Sequence, residues 1–434
     1  MRTRRKVEKM RKALMRSNTR LLLTAVVIFQ ALSMLLIAVQ PEGFSLQALI
    51  LAAAIPLTTI LVTNLMAKIW PVDRAIMIFV LLLCSVGIIT LSDVARAEVT
   101  PRTQAIYALV GVVAMFIGAG LIRAFSGWKR SAKLLMALCL LALLSPWAPA
   151  PVGGWYQGAR NWIHLGPISG QPSEFMKPVL IVILAACFAN RPRFARCLPG
   201  IAFAAVCCGV LLTERDLGAL LLYFLTTVVM YYAATSNALL SLAGLGMGAG
   251  AAVVAYHAMP YVQDRVAIWQ NPWNDAQGVG YQLVQALIAI GSGGLFGMGL
   301  GLGMPRNVPL YHSDFIFSSI AEEFGLIFSI GLMTVYVLII MRGLIVAMNA
   351  RTSFHSLTAF GIVMIMGMQA LLIIGGNTKL LPLTGVTLPL VSYGGSSLVS
   401  SFFSMGLLLG ISSANAEDEA RDITRLELRE GGLL

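Results

Sequence analysis

Residues 2–40 read RTRRKVEKMRKALMRSNTRLLLTAVVIFQALSMLLIAVQ, nine cations against the lone acid Glu8, followed by an apolar run. At about twenty residues the run is long enough to span a bilayer as a helix, the form in which a backbone out of reach of water satisfies itself. The cations ahead of it hold that end in the cytoplasm, because Lys and Arg in short flanks resist translocation. The run is too long for a leader's core and lacks a small-residue cleavage site, so it should remain as an anchor.

The pattern recurs along the chain. Mean hydropathy of +0.82, with 58% hydrophobic and 12% charged residues over 434, exceeds what a soluble globule buries. Apolar runs near 20–40, 47–67, 75–93, 103–122, 133–149, 173–190, 198–213, 217–234, 238–258, 314–341, 356–376 and 387–412 predict an all-α polytopic membrane protein of about twelve helices. Counted alternately, the loops carrying Lys68 and Arg74, Arg123 to Lys133, Arg191 to Arg196, and Arg342 to Arg351 fall on the side of the basic N-terminus. Both termini should therefore be cytoplasmic. The net charge of +12 is mostly this topology signal, and without an aromatic-interleaved soluble face it does not point to nucleic acid. None of the six cysteines has the spacing of a disulfide or metal site.

Trp70-Pro71-Val72-Asp73-Arg74 marks a seam between residues 1–71, holding an extra helix pair, and a ten-helix body over 72–413; 414–434 read as a charged tail. Two connections are long, about 150–172 and 259–313, and long ordered loops tend to carry function. Threaded this way, Glu174, Asp216, Asp275, His312, Asp314, Lys379 and Ser392 all lie on the extracytoplasmic side.

The first loop leads into QPSEFMK, 171–177. Pro172 suits the first helical position, Glu174 complements the helix dipole, and Lys177, three residues on, shares its face. Arg160 and Lys177 suit a diphosphate; the bland alternative is a charged helix entry beside Trp155, Tyr156 and Trp162. The second loop contains NPWNDAQGVGYQ, 271–282. Asp275 stands among Trp273, Tyr281 and Gln282, where desolvation would raise its basicity towards that of a general base, although an Asp in such a turn is also a natural Asx-turn or cap. The glycines from Gly291 to Gly303 fit a close-packed re-entrant or interfacial segment better than a nucleotide loop. In HSDFIFSSIAEEFG, 312–325, Glu322 and Glu323 lie roughly 12 Å inside the membrane, facing a partner such as Arg215, an interhelical network or a polar path. In NTKLLPLTGVTLPLVSYGGSS, 377–397, Lys379 opposes the positive-inside bias and should answer a carboxylate or phosphate, while Ser392, Gly394, Gly395 and Ser396 allow close approach.

Together QPSEFMK, DLGALLLYF, NPWND with GVGYQ, HSDFIFSSIAEEFG and LPLTGVTLPLVSYGGSS resemble, in order and over about 72–412, the signatures of the FtsW/RodA/SpoVE (SEDS) family, with TERDLG and NTKLLPLTGVTLP nearer the RodA branch. The resemblance implies a ten-helix peptidoglycan glycosyltransferase of the bacterial cytoplasmic membrane that polymerises lipid II on its outer face, beside a class B penicillin-binding protein, and it matches Asp275 to the family's essential loop aspartate. Departures include Glu214-Arg215 where the family commonly has Gln-Pro, Ser313 for Thr, Ala276 for Pro and Leu390 for Phe.

Forming a β-1,4 link requires a base for the acceptor hydroxyl and cations for the departing diphosphate. Asp275 is the expected base. Arg160, Lys177 and Arg265 are the expected diphosphate ligands, with Trp273, Tyr281, Gln282, Lys379, Ser392, Gly394, Gly395 and Ser396 also facing substrate, and with Glu174, Asp216, His312, Asp314 and Glu322 orienting them. No cofactor is identified; a divalent cation, Mg²⁺ or Mn²⁺, would suit carboxylates and diphosphate, but no ligand spacing requires it. The rival functions are a lipid II flippase, hinted at by Glu322 and Glu323, and a non-catalytic scaffold for the transpeptidase.

Overall fold

The computed structural model describes residues 2–39, 44–93, 101–149, 152–156, 158–166, 168–190 and 193–430. Arg191, expected at a cytoplasmic loop, and the end of the tail at 431–434 lie outside them, as do the side chains of Tyr156 and of the basic cluster before Asn18. The described elements are helices α1 (Arg2–Ala38), α2 (Leu46–Ile69), α3 (Arg74–Asp93), α4 (Pro101–Ala124) and α5 (Trp128–Leu144), then strands β1 (Gly153–Tyr156), β2 (Ala159–Leu165) and β3 (Ile168–Gly170). Helices α6 (Pro172–Phe188), α7 (Phe194–Thr213), α8 (Leu217–Thr235), α9 (Ala238–Ala258), α10 (Pro260–Gln270), α11 (Tyr281–Gly293), α12 (Ile316–Met348), α13 (Ser353–Asn377) and α14 (Gly395–Glu430) follow.

Eleven described helices are long and apolar enough to cross a membrane. The twelfth expected span is α6, only 17 residues long and buried along almost its whole length, so it sits inside the bundle and meets little lipid. Its neighbours α5, α7, α8, α13 and α14 pack around it. The expected loop at 150–172 instead forms a small antiparallel sheet ordered β1-β2-β3. Gly158 and Gly166, at φ +82° and +63°, supply the left-handed turns that reverse the chain.

The seam at 70–74 is a turn in the chain and not a gap in packing. Asp73 caps α3 through bonds from Ala75 and Ile76 N–H at 2.9 and 3.3 Å, and its other oxygen accepts Arg342 at 2.6 Å. In the apolar interior Gln30 of α1 donates to Thr59 of α2 and Ser85 of α3, both at 3.1 Å, while Phe29 stacks on Phe328 of α12. The extra pair thereby covers α3 and shares one core with the body. At the same end of the bundle as Asp73, the charged last turns of α14 are held by Arg123 to Glu417 and by Arg351 to Asp422.

Helix α12 breaks at Gly325, whose φ of +82° and ψ of 176° are not helical. The glycine-rich run fills the break. Leu326 and Ile327 donate to the carbonyls of Gly294 and Leu295, while Met298 and Gly299 donate to the carbonyls of Glu322 and Glu323. A Cβ on Gly325 would meet Gly297 N at 2.2 Å. Gly325→Ala should therefore cost at least about 1–3 kcal/mol from backbone strain alone, read as a lowered melting temperature in detergent; an unchanged melting curve would show that this junction is not structural.

Candidate active site

At the end of the bundle opposite Asp73, Asp216 ties three elements together. Arg215 turns the chain in the left-handed region, φ +61°, and Asp216 caps α8, its Oδ1 accepting Ala219 N–H at 3.0 Å. Its Oδ2 accepts Gln171 Nε2 at 2.8 Å, Ser173 Oγ at 2.9 Å and Asn161 Nδ2 at 3.4 Å, joining the entry of α6 and β2 to α8. Gly218 lets the 378–394 loop lie on the first turn of α8, since a Cβ there would meet Thr384 O at 2.8 Å.

One turn into α6, Glu174 and Lys177 pair at 2.7 Å as their spacing predicts, but the pair is buried. Lys177, 5% exposed, also donates to Gln369 Oε1 at 2.9 Å, and Gln369 Nε2 in turn donates to Thr387 O at 2.7 Å. Lys177 thus is not a free diphosphate ligand. Its ammonium is consumed in holding α6, α13 and the 378–394 loop together, beside a cavity of about 20 Å³, room for one water. Gln369 escaped the sequence reading, although a lone amide within an apolar span was its signal.

Arg160 is committed as well. Its guanidinium donates to the carbonyls of Pro146, Trp147 and Ala148 at 3.0 to 3.5 Å and lies 4.5 Å from the Trp147 ring, so it fastens the sheet to the end of α5 instead of facing a diphosphate. Arg265 keeps more freedom. One nitrogen donates to Leu383 O at 2.7 Å, while another stands with Asp314 Oδ2 at the position a Cβ on Gly385 would occupy, 3.9 and 3.7 Å away; Gly385, at φ +72°, leaves that space open. Burial lowers the Arg265 pKa and Asp314 and Asp216 raise it; burial likewise pushes Asp314 up to about 6, against Ser313 and Arg265. Asn377, which the sequence reading passed over, fixes this corner by donating to Asp314 O at 2.7 Å and accepting Ser318 N–H.

Lys379 takes a left-handed conformation, φ +60°, its carbonyl accepting Trp269 Nε1 at 3.2 Å, and among the described residues its ammonium has no carboxylate partner. His312 packs edge-on to Tyr311 and Tyr393 and its carbonyl accepts Tyr393 N–H at 2.8 Å. Ser392 is buried and structural: its hydroxyl accepts Leu388 N–H and donates to Ser313 O. Ser396 Oγ accepts Gln171 N–H at 3.1 Å, and Gly395 admits the Tyr107 ring, which a Cβ would meet at 2.9 Å. Gly394, at φ +158°, opens that turn. The SYGGSS loop is therefore a packed hinge between α4, α6 and the 312 segment, not a free substrate wall.

Asp275 lies apart from this cluster, on an exposed turn between α10 and α11. Its two oxygens accept Gly278 and Val279 N–H at 3.0 and 3.1 Å, and a Cβ on Gly278 would strike the carboxylate. The desolvation expected from Trp273 is absent: Asp275 is exposed and Trp273 is 56% exposed. The Asx-type cap and the open carboxylate coexist, since each oxygen retains lone pairs towards solvent. Tyr281 and Gln282 open α11 beside it, Tyr281 exposed and Gln282 half-buried.

Glu322 is buried, with Oε1 accepting Met304 N–H at 3.0 Å beneath the glycine run. Its suggested partner Arg215 instead stacks on Trp155 and Tyr261, at 4.9 and 5.4 Å. Among the described residues no three His, Cys, Asp or Glu side chains converge as a metal site.

Residues 63–417 match the FtsW/RodA/SpoVE family model, described as cell cycle protein. Relatives include Peptidoglycan glycosyltransferase RodA of Mycobacterium tuberculosis, 34% identical over 325 residues (71% of this chain, 69% of that protein). Stage V sporulation protein E of Bacillus subtilis is 33% identical over 363 residues (78% and 96%). Among solved structures, a peptidoglycan synthase complex described as coordinating polymerization and crosslinking superposes with TM-score 0.66 at 27% identity, covering 79% of this chain and 98% of that one. Thermus thermophilus Rod shape determining protein RodA gives 0.57 at 28%, covering 79% and 96%.

Glu214, beside Asp216, is buried with one carboxyl oxygen unpartnered. Burial first, and Asp216 second, push its pKa from 4.5 to about 8. Between those values the folded state holds a proton that the unfolded chain releases, so stability falls as pH rises through that window. The melting temperature should drop between about pH 5 and about pH 8, and Glu214→Gln should flatten this slope; an identical slope in the variant would remove Glu214 as its source.

Proposed function

The chain belongs to the FtsW/RodA/SpoVE family, and we propose that it is a peptidoglycan glycosyltransferase that polymerises lipid II into β-1,4 glycan strands for cell-wall synthesis in elongation or division. The observation that carries this reading is the pairing of an accessible carboxylate, Asp275, with cations at the same end of the bundle that keep donors available, Arg265 and Lys379. In the reaction the acceptor sugar oxygen attacks the donor's anomeric carbon, the bond from that carbon to the diphosphate oxygen breaks, and undecaprenyl diphosphate leaves. Asp275 takes the hydroxyl proton. Arg265 and Lys379 stabilise charge on the departing diphosphate. Asp216, Glu174, Lys177, Arg160, Ser392, Ser396 and His312 position these groups without touching substrate.

The orientation that goes with this chemistry puts both termini in the cytoplasm and 259–313 outside the bacterial cytoplasmic membrane. A class B penicillin-binding protein is the fitting partner, since a solved structure similar to this chain is a complex that couples polymerization to crosslinking. Translocation of lipid II is the weaker reading, because Glu322, its hint of a polar path, is capped by Met304 and covered by the glycine run.

Asp275→Asn should lower glycan synthesis from lipid II by about 10² to 10⁴ while the purified protein keeps its melting temperature; near-normal synthesis by the variant would remove Asp275 as the base. For orientation, a single cysteine at position 275 should react with an impermeant maleimide in intact cells. Labelling that appears only after permeabilisation would invert the site.

A further inference from the structure

A groove between α2, α3 and α4 takes no part in the chemistry above. Ile55 and Thr58 of α2 form one wall, Ala108 and Leu109 of α4 the other, and Ser85 of α3 with Phe402 of α14 the floor. The space is about 100 Å³ and no charged residue lines it. A spanning helix, about 10 Å across and 30 Å long, needs roughly 2,000 Å³, so the groove admits something thinner. In a bilayer that occupant is a hydrocarbon chain.

Its position says which one. Most of the lining residues fall in the halves of α2, α3, α4 and α14 nearest the active site, with Thr58, Thr59 and Leu81 just past the midpoints of their helices. Along α4 the groove residues Ala105 and Ala108 adjoin Gln104 and Tyr107, which reach the site: Gln104 donates to Ser392 O at 3.1 Å, and Tyr107 lies against Gly395 and 6.4 Å from Tyr393. A chain lying in the groove thus ends about one helical turn from the SYGGSS loop. The wall from α2, residues 51–59, precedes the family match at 63, so it belongs to the extra helix pair.

We propose that this groove seats the polyprenyl tail of the lipid-linked substrate, and that the extra helix pair exists in part to complete it. The proposal rests on the polymerase reading above. The groove binds the tail through apolar contact alone, so filling it weakens long-tailed substrate and spares a substrate with little tail to seat.

The test compares full-length wild type with Ala108→Phe and, on the opposite wall, Thr58→Phe, so that a variant that fails to fold leaves the other to be measured. Each receives lipid II with its full tail and lipid II whose diphosphate carries a single isoprene unit, too short to reach along the groove's seven or eight residues of helix. The ratio of kcat/KM for long over short tail should fall about tenfold in either folded variant. An unchanged ratio, whether both activities fall together or neither does, overturns the groove. Wild type that makes no glycan from either substrate would instead remove the polymerase reading. A photoreactive group on one of the isoprene units next to the diphosphate should label α2 and α4. A phospholipid carrying the same group on its acyl chain, if it labels them equally and is not displaced by excess long-tailed lipid II, would make the groove an ordinary bilayer-lipid site and end the proposal.

Discussion

The lack of water inside a bilayer constrains every irregular feature of this protein. A helix can break at Gly325 only because another backbone enters the break, and the glycine run from 294 to 299 does so, each side supplying the partners the other lacks. The same meeting draws residues 300–315 under the start of α12, covers Glu322, and sets the 312 segment against Tyr393. Glycine is required there because Gly293, Gly297 and Gly325 each approach backbone more closely than a Cβ allows.

Two buried charges extend this logic to the site. Asp216 gathers donors from β2, the entry of α6 and the first turn of α8, while Lys177 is shared between Glu174 and Gln369. An ion buried in this way is stable only with its partners in place, and removing one leaves the other uncompensated, at a cost of about 3–5 kcal/mol in comparable pairs. The charges therefore act as register pins: they fix α6, α8, α13 and the 378–394 loop relative to one another. The groups left open to a substrate, Arg265, Lys379 and Asp275, stand on the rigid frame those pins create.

Much of the fold was legible in the sequence because a bilayer crossing demands a long apolar run, which local composition reveals. The twelve expected spans correspond to α1 to α9 and α12 to α14, with α6, 17 residues long like α5, enclosed by its neighbours. The three-stranded sheet was not legible, since its strands are short and lack sustained alternation. Arg160 and Lys177 differ from their expected role as diphosphate ligands for one reason: a cation near an interface looks available until the backbone carbonyls of residues 146–148 and the amide oxygen of Gln369 that claim it are brought beside it. The exposure of Asp275 reverses the environment that its aromatic neighbours suggested.

The sequence by itself determined the class of protein, the order of the motifs and the family, because apolar run length, loop charge and short strings of residues are local properties. Only the tertiary structure decided which polar groups are spent on the scaffold and which remain for chemistry. Hydrogen-bond donors are finite, and whether Lys177 or Arg265 has one to offer depends on residues such as Gln369 and Leu383, more than a hundred positions away in the chain, that folding brings within 3 Å.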